Sequence, residues 1–277
     1  MLKDVIEHSL IKEKLKLFLN NRKIPRILIF NGPRSVGKKF TALNFINEHF
    51  GEKININNHP DIKIYSPETS VFKLELIQDI QKNIMLTPFN LDKKFFILTD
   101  IDKMNKESAN ASLKMFEDVP EYVYFILTCE NIDLVLKTIV SRSFILNFYP
   151  ISNIKKYFNN LTEIEEQLAN GCIGRIEYLK INNIEKKYRE SLNFFSNISS
   201  LNLADVLDFF TGLKGIDYQI IADLLVLCVK KEKDFRKKSI FLKEILDFKP
   251  KLHLNLNKDL HLKLCLINMK SKIGALS

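Results

Sequence analysis

Gly32, Gly37 and Lys38 stand in the spacing G-x-x-x-x-G-K, directly after the apolar run Ile27-Leu28-Ile29-Phe30-Asn31. Glycines at these positions let backbone N–H groups curl around phosphate oxygens. The Lys38 ammonium can neutralise that phosphate, and a helix starting after the loop directs its N-terminal dipole at the same anion. The next position in such a loop carries a Ser or Thr whose hydroxyl ligates Mg²⁺, and here it is Lys39. The phosphate cradle is kept while the metal ligand is lost; Lys39 is either a neutral replacement or a cation standing where the metal would sit. A second group of interest follows the run Phe95-Phe96-Ile97-Leu98-Thr99, namely Asp100-Ile101-Asp102. A carboxylate at the end of a buried strand beside the loop can hold Mg²⁺ through water, and an adjacent carboxylate can polarise the attacking water. Asp100 fits the first role. The second falls on Ile101, which has no proton chemistry, and Asp102 is either a substitute base from the other side of the strand end or a turn residue before Asn105.

Strands and helices must alternate to bring these groups together. Residues 9 to 20 place Ile11, Leu15, Phe18 and Leu19 at helical spacing, and Asn20 to Pro25 ends that helix before the first strand. A helix is expected after the loop. Another is expected over 71 to 86, with Leu74, Ile77, Ile80 and Ile84 on one face and Pro88 beyond it. Phe95 to Thr99 has the unbroken apolar character of a strand buried on both faces. A helix from about Lys106 to Asp118 follows, carrying Ala109, Leu113 and Phe116, and then come strands at Val123 to Leu127 and Phe144 to Leu146. The alternation predicts an α/β fold, a parallel sheet covered by helices. Beyond Pro150 the pattern turns helical, with Leu203, Val206, Phe209 and Phe210 in one segment and Ile220, Leu224, Leu227 and Cys228 in the next. Leu252, Leu254 and Leu256 alternate as a short strand would, within an end read as helical.

A chain of 277 residues with 46% hydrophobic content buries a substantial core, which excludes disordered and fibrous classes. The net charge of +9 suits a nucleic-acid partner, although the abundance of Lys, Asn and Ile is also what an AT-rich coding sequence produces. Cys129, Cys172, Cys228 and Cys265 form no C-x-x-C pair and no zinc spacing, so they read as the reduced thiols of a cytoplasmic protein. No signal-type apolar core opens the sequence, and no stretch approaches the roughly 20 apolar residues of a membrane span.

Gly32 to Lys38, His59-Pro60-Asp61, Thr99-Asp100, the segment Asn110-Ala111-Ser112-Leu113-Lys114-Met115-Phe116-Glu117-Asp118-Val119-Pro120, and Thr138-Ile139-Val140-Ser141-Arg142-Ser143 occur in this order. Together they resemble the clamp-loader branch of the AAA+ proteins, over about residues 5 to 180; the last hundred residues share only helical character with it. The resemblance implies an AAA+ P-loop parallel-sheet domain over 1–149, a helical lid over 150–184 and an all-helical collar for oligomerisation over 185–277. It makes Gly32, Gly37, Lys38, Lys39 and Asp100 the positions of a degenerate nucleotide site and Arg175, in Gly171-Cys172-Ile173-Gly174-Arg175, the lid's sensor arginine. The polar sensor of the strand falls at Thr128 or Cys129. Arg142 matches the arginine of a Ser-Arg-Cys motif, here ending in Ser143, that reaches a neighbouring subunit's ATP. The four-cysteine zinc module of many members is missing, since Phe50 to His59 holds no cysteine, so neither zinc nor another metal is expected.

Each of these residues has a plainer reading. His59 is expected to be structural, Arg142 can serve as a surface ion-pair residue, and Arg175 as a solvated arginine at a helix start. The implied function is a non-hydrolysing clamp-loader subunit with no ATPase of its own and at most degenerate ATP binding. It would present Arg142 in trans to a gamma or tau subunit, with delta as a further partner and the sliding clamp and primed DNA reached through the complex. The alternatives are an active gamma- or tau-like ATPase using Asp102 as base, and a basic DNA-binding module with a vestigial loop.

Overall fold

A computed structural model of the chain describes residues 2–51, 54, 59–67, 71–253 and 256–275. The chain divides into two compact units, Met1–Asn153 with Gly171–Gly174, and Ile154–Asn170 with Arg175–Ser277.

In the first unit, helix α1 (Ser9–Asn20) precedes strand β1 (Ile27–Asn31), and α2 (Lys38–Phe50) leaves the glycine loop. The chain continues through β2 (Ile62–Tyr65), α3 (Leu74–Ile84), β3 (Lys94–Leu98), α4 (Lys106–Glu117), β4 (Val123–Cys129), α5 (Lys137–Val140) and β5 (Phe144–Asn147). The five strands form a parallel sheet in the order β2-β3-β4-β1-β5, in register Leu28 with Ile126 and Ile97 with Ile126 on either side of β4. Successive residues of each strand face opposite layers. Leu28, Phe30, Phe95, Ile97 and Ile126 join Ala42, Phe45 and Ile46 of α2 on one face, while Ile29, Phe96, Leu98, Phe125 and Leu127 join Ile77, Ile80 and Phe116 of α3 and α4 on the other. Burial of each of these large side chains contributes about 1.5–3 kcal/mol.

Strand β2 was not foreseen. Its four residues Ile-Lys-Ile-Tyr are too few to display a decisive period. Behind it, the carboxylate of buried Asp61 accepts the N–H groups of Phe89 at 2.7 Å, Asn90 at 2.7 Å and Leu91 at 3.0 Å. His59 holds the same turn, its Nδ1 accepting from the Asp61 N–H at 3.1 Å, in keeping with a structural role. Lys94 is 3% exposed and donates to the carbonyls of Asn83 and Leu86, each at 3.0 Å, closing the end of α3. The loop from α3 to β3 is thereby held from both sides.

The second unit contains α6 (Glu163–Ala169), α7 (Ile173–Ile181, its first two residues belonging to the first unit), α8 (Ile184–Asn197), α9 (Leu203–Leu213), α10 (Tyr218–Lys230), α11 (Phe235–Phe248) and α12 (Lys258–Gly274). Thr162 with Glu165 and Asn202 with Asp205 form reciprocal capping boxes at α6 and α9. Asp217, Asp234 and Asn257 cap α10, α11 and α12. The apolar faces of these helices meet in one core that includes Val206, Phe210, Leu224, Phe241 and Leu266. The strand suggested at Leu252 to Leu256 is absent at its first residue. Lys249–His253 is a short 3₁₀ helix that turns Leu252 into this core, and Leu254 lies outside the described residues. Among the described residues no helix is long and apolar enough to cross a membrane.

Candidate phosphate-loop site

The loop leaves the carboxyl end of β1, between β4 and β5, where the chain's path across the sheet reverses and an open parallel sheet presents its binding crevice. Gly32 has φ 151°, and a Cβ there would lie 2.4 Å from the Phe148 carbonyl oxygen, so no side chain fits. Gly37 caps α2 with φ 108°, a conformation open to glycine at little cost. Val36 is buried between them and anchors the loop in the layer of Phe45 and Phe148. His8 adds a further support. It bonds to the Val36 backbone and meets the Phe148 ring edge-on at 4.9 Å, and burial holds its imidazole below the ordinary pKa.

A cleft of about 260 Å³ opens over this loop, lined by Arg34, Lys38, Lys39, Ser66, Thr99 and Thr128 among others. The predicted residues Gly37, Lys38, Lys39 and Asp100 all line it. Lys38 is 7% exposed, and its ammonium is folded onto the loop's own carbonyls, Gly32 and Pro33, the latter at 2.8 Å. Burial pulls its pKa below that of an ordinary lysine, opposed by Glu130 and Asp100. Lys39 is exposed at the cleft and carries no hydroxyl that a metal could use.

At the end of β3 the acidic chemistry is diverted. Asp100 adopts a left-handed conformation, φ 56° and ψ 46°, its N–H donating to Thr128 Oγ1 at 3.2 Å. One of its carboxylate oxygens accepts from Lys103 Nζ at 2.8 Å. Ile101 is 3% exposed and packs with Phe72 and Phe116. Asp102 turns to the neighbouring loop, where its Oδ2 accepts the N–H groups of Glu130 at 3.0 Å and Asn131 at 3.1 Å. That geometry is the turn role. The phosphate half of a nucleotide site therefore fits these residues. The Mg²⁺ half lacks its hydroxyl, because Lys39 is no ligand, and one oxygen of Asp100 is taken up by Lys103.

Between the two sensor candidates, Thr128 lines the cleft, while Cys129 is buried against the apolar layer and its thiol is pushed up to about 12 by burial. Arg142 stands apart, just beyond α5. It donates to the Thr138 carbonyl at 3.0 Å and lies 3.5 Å from Glu117, both partners of that ion pair being more than two-fifths exposed. Arg175 belongs to the second unit, where it donates to the Leu168 carbonyl at 3.3 Å and approaches Asp223 at 3.9 Å. Lys103 and Ser66 were missed, and Thr99 was noted only as a strand end and as part of the Thr99-Asp100 pair. Ser66 and Thr99 are hydrogen-bonded to each other at 2.8 Å, a juxtaposition of β2 and β3 that a linear sequence conceals.

Residues 7–152 match the family model described as DNA polymerase III, delta subunit. The chain is 27% identical over 154 residues to the DNA polymerase III subunit delta' of Bacillus subtilis (strain 168), covering 50% of this chain and 47% of that one. It is 26% identical over 152 residues to the Replication factor C small subunit of Sulfurisphaera tokodaii, covering 54% and 45%. The chain thus spans about half the length of the curated relatives it matches. A solved DNA polymerase III gamma-subunit-related protein of Thermotoga maritima shares the fold, with TM-score 0.59 at 20% identity and coverage of 94% of this chain and 99% of that chain. Sheet order, glycine loop and helical C-terminal part define an α/β fold of the phosphate-loop class followed by a helical part, the fold shared with that solved structure. Within that class, the chain belongs to the DNA polymerase III delta-subunit family.

Proposed function

We propose that this chain is a clamp-loader subunit of the delta-prime type, which hydrolyses no ATP itself and completes the ATP site of a neighbouring subunit with Arg142. The observation that carries this reading is at the end of β3, where Asp100 is paired with Lys103 at 2.8 Å and the water-activating position is the buried Ile101. Phosphoryl transfer needs positioned charge and an oriented nucleophile, and both supports are gone here. The rival gamma- or tau-like ATPase would need Asp102 as base, but its Oδ2 accepts the N–H groups of Glu130 and Asn131 and its Oδ1 is buried away from water, with no hydrogen-bond donor among the described residues.

In this reading Gly32, Gly37, Lys38, Lys39 and Asp100 are a degenerate nucleotide site, Thr128 is the polar sensor and Arg175 the lid sensor. Residues 150–184 are the lid and 185–277 the collar. The exposed Leu203 and Leu207 of α9 and Leu260 and Leu264 of α12, two helices that pack together, support a role for the collar in assembly. Its partners are gamma or tau and delta, with the sliding clamp and primed DNA engaged through the assembled complex in the cytoplasm.

Arg142 is suited to act on another polypeptide because its present ion pair is exposed. Such a pair is worth at most about 1 kcal/mol, whereas an arginine supplied in trans contributes about 10³–10⁵ in rate. The test is Arg142→Ala in a reconstituted complex. The expected result is an unchanged melting temperature and unchanged assembly, with DNA- and clamp-stimulated ATPase reduced by less than the full factor because the other sites keep their own arginines. Full ATPase and clamp loading with the variant would reject the proposal, and failed assembly would make Arg142 an interface residue instead.

A further inference from the structure

The segment Lys230-Lys231-Glu232-Lys233-Asp234-Phe235-Arg236-Lys237-Lys238 joins α10 to α11 and gathers six cationic side chains. Its two acids leave the cations in excess, six to two, and form no ion pair with them among the described residues. Glu232 Oε1 accepts the N–H groups of Lys233 at 2.8 Å and Asp234 at 2.9 Å, and Asp234 Oδ1 accepts those of Arg236 at 2.8 Å and Lys237 at 3.3 Å. The carboxylates close the turn and cap α11. Among the described residues none of the six cations forms an ion pair. Lys237 and Lys238 rest on neutral oxygens, Ser199 Oγ and the Lys230 carbonyl, each at 3.2 Å, and Lys270 of α12 reaches the Ser199 carbonyl at 2.8 Å. In the middle stands Phe235, 83% exposed.

An aromatic ring in water, on a turn fixed by its own carboxylates and with cations in excess along the same short segment, asks for a partner with both a repeating anion and a flat apolar face. Single-stranded nucleic acid supplies phosphates and unpaired bases together. A duplex offers the phosphates but keeps its bases stacked inside. An acidic peptide would leave the ring unused, and a bilayer would bury one ring between the charged neighbours Asp234 and Arg236. We propose that this turn binds single-stranded nucleic acid, stacking a base on Phe235 and taking the adjoining phosphates on the exposed Lys230, Lys231, Lys233 and Arg236. The inference rests on the second unit alone, so its failure would leave the reading of Arg142 intact.

The test measures anisotropy of a fluorescein-labelled oligothymidylate with the full chain across a salt series. Binding is expected to weaken with salt by a log–log slope of about −0.7 for each phosphate neutralised. Phe235→Ala should weaken it about tenfold without changing the melting temperature, and Phe235→Trp should restore it. Replacing Lys230, Lys231, Lys233 and Arg236 together by Ser should flatten the salt slope. Four results would overturn the proposal: no binding at low salt, no effect of Phe235→Ala, equal competition by an unlabelled duplex of the same length, or tighter binding to phosphatidylserine vesicles or polyglutamate than to the oligonucleotide.

Discussion

On the proposed reading, Ile101 occupies the position where a hydrolysing P-loop protein would orient water, and its side chain packs into the layer of Phe72, Ile77 and Phe116. Ile101→Glu would therefore carry a charge into apolar surroundings. It is expected to destabilise the fold by at least about 2 kcal/mol, seen as a lower urea midpoint, without creating ATPase activity; an unchanged midpoint would mean that the side chain swings to the cleft. Lys39 bears on binding instead. With no hydroxyl at that position and Asp100 held by Lys103, nucleotide affinity should be nearly the same with Mg²⁺ or with EDTA. Lys39→Thr combined with Lys103→Ala should introduce a dependence on the metal. Titration of a fluorescent nucleotide into both proteins decides this, and a large loss of wild-type affinity on chelation would refute it. At this scale the sequence displayed the loop, the missing hydroxyl and Ile101, because motif spacing is local. The diversion of Asp100 to Lys103 was hidden, since it depends on a left-handed residue and one 3₁₀ turn after β3.

Elements were legible where their apolar period was long. The helices at Ser9–Asn20, Leu74–Ile84 and Lys106–Glu117, and the strands β1, β3, β4 and β5, stand within a few residues of their expected bounds. The four-residue β2 was not legible, nor was Lys94, because lysine in a sequence signals solvent and only the carbonyls at the end of α3 explain its burial. Asp61 is the corresponding anion. Burial alone would raise its pKa, but the N–H groups of Phe89, Asn90 and Leu91 outweigh it and hold the carboxyl below the usual range. Because the folded pKa lies below the unfolded one, this contribution is present above the unfolded pKa and is lost as pH falls through the folded value. Stability should hold in this respect down to about pH 4 and then decline. Asp61→Asn, which turns an amide donor toward backbone donors, should cost about 2–4 kcal/mol at neutral pH and blunt the acid-side decline. Urea unfolding of both proteins as a function of pH measures the two effects, and parallel pH curves would exclude Asp61 as their source.

For the molecule as a whole, the sequence displayed an α/β part followed by a helical part, but the packing of the latter was beyond reach. Helical periodicity marks which face of α9 or α12 is apolar without saying which other helix covers it. The net charge of +9 was equally ambiguous, and the structure locates a concentrated share of it at the α10–α11 turn. On the proposed reading, the chain keeps what binds phosphate and lacks what moves a phosphoryl group. Loss of a positioned base typically costs about 10²–10⁴-fold, and here the metal-side carboxylate is also occupied. The isolated chain, purified free of contaminating ATPases, is expected to show no turnover above background, with or without DNA. A rate of roughly 1 s⁻¹, at the low end for ordinary enzymes, that disappears in Lys38→Ala would establish an active motor and overturn the non-hydrolysing reading. Turnover unaffected by Lys38→Ala would belong to a contaminant, since Lys38 is the buried cation at the phosphate loop.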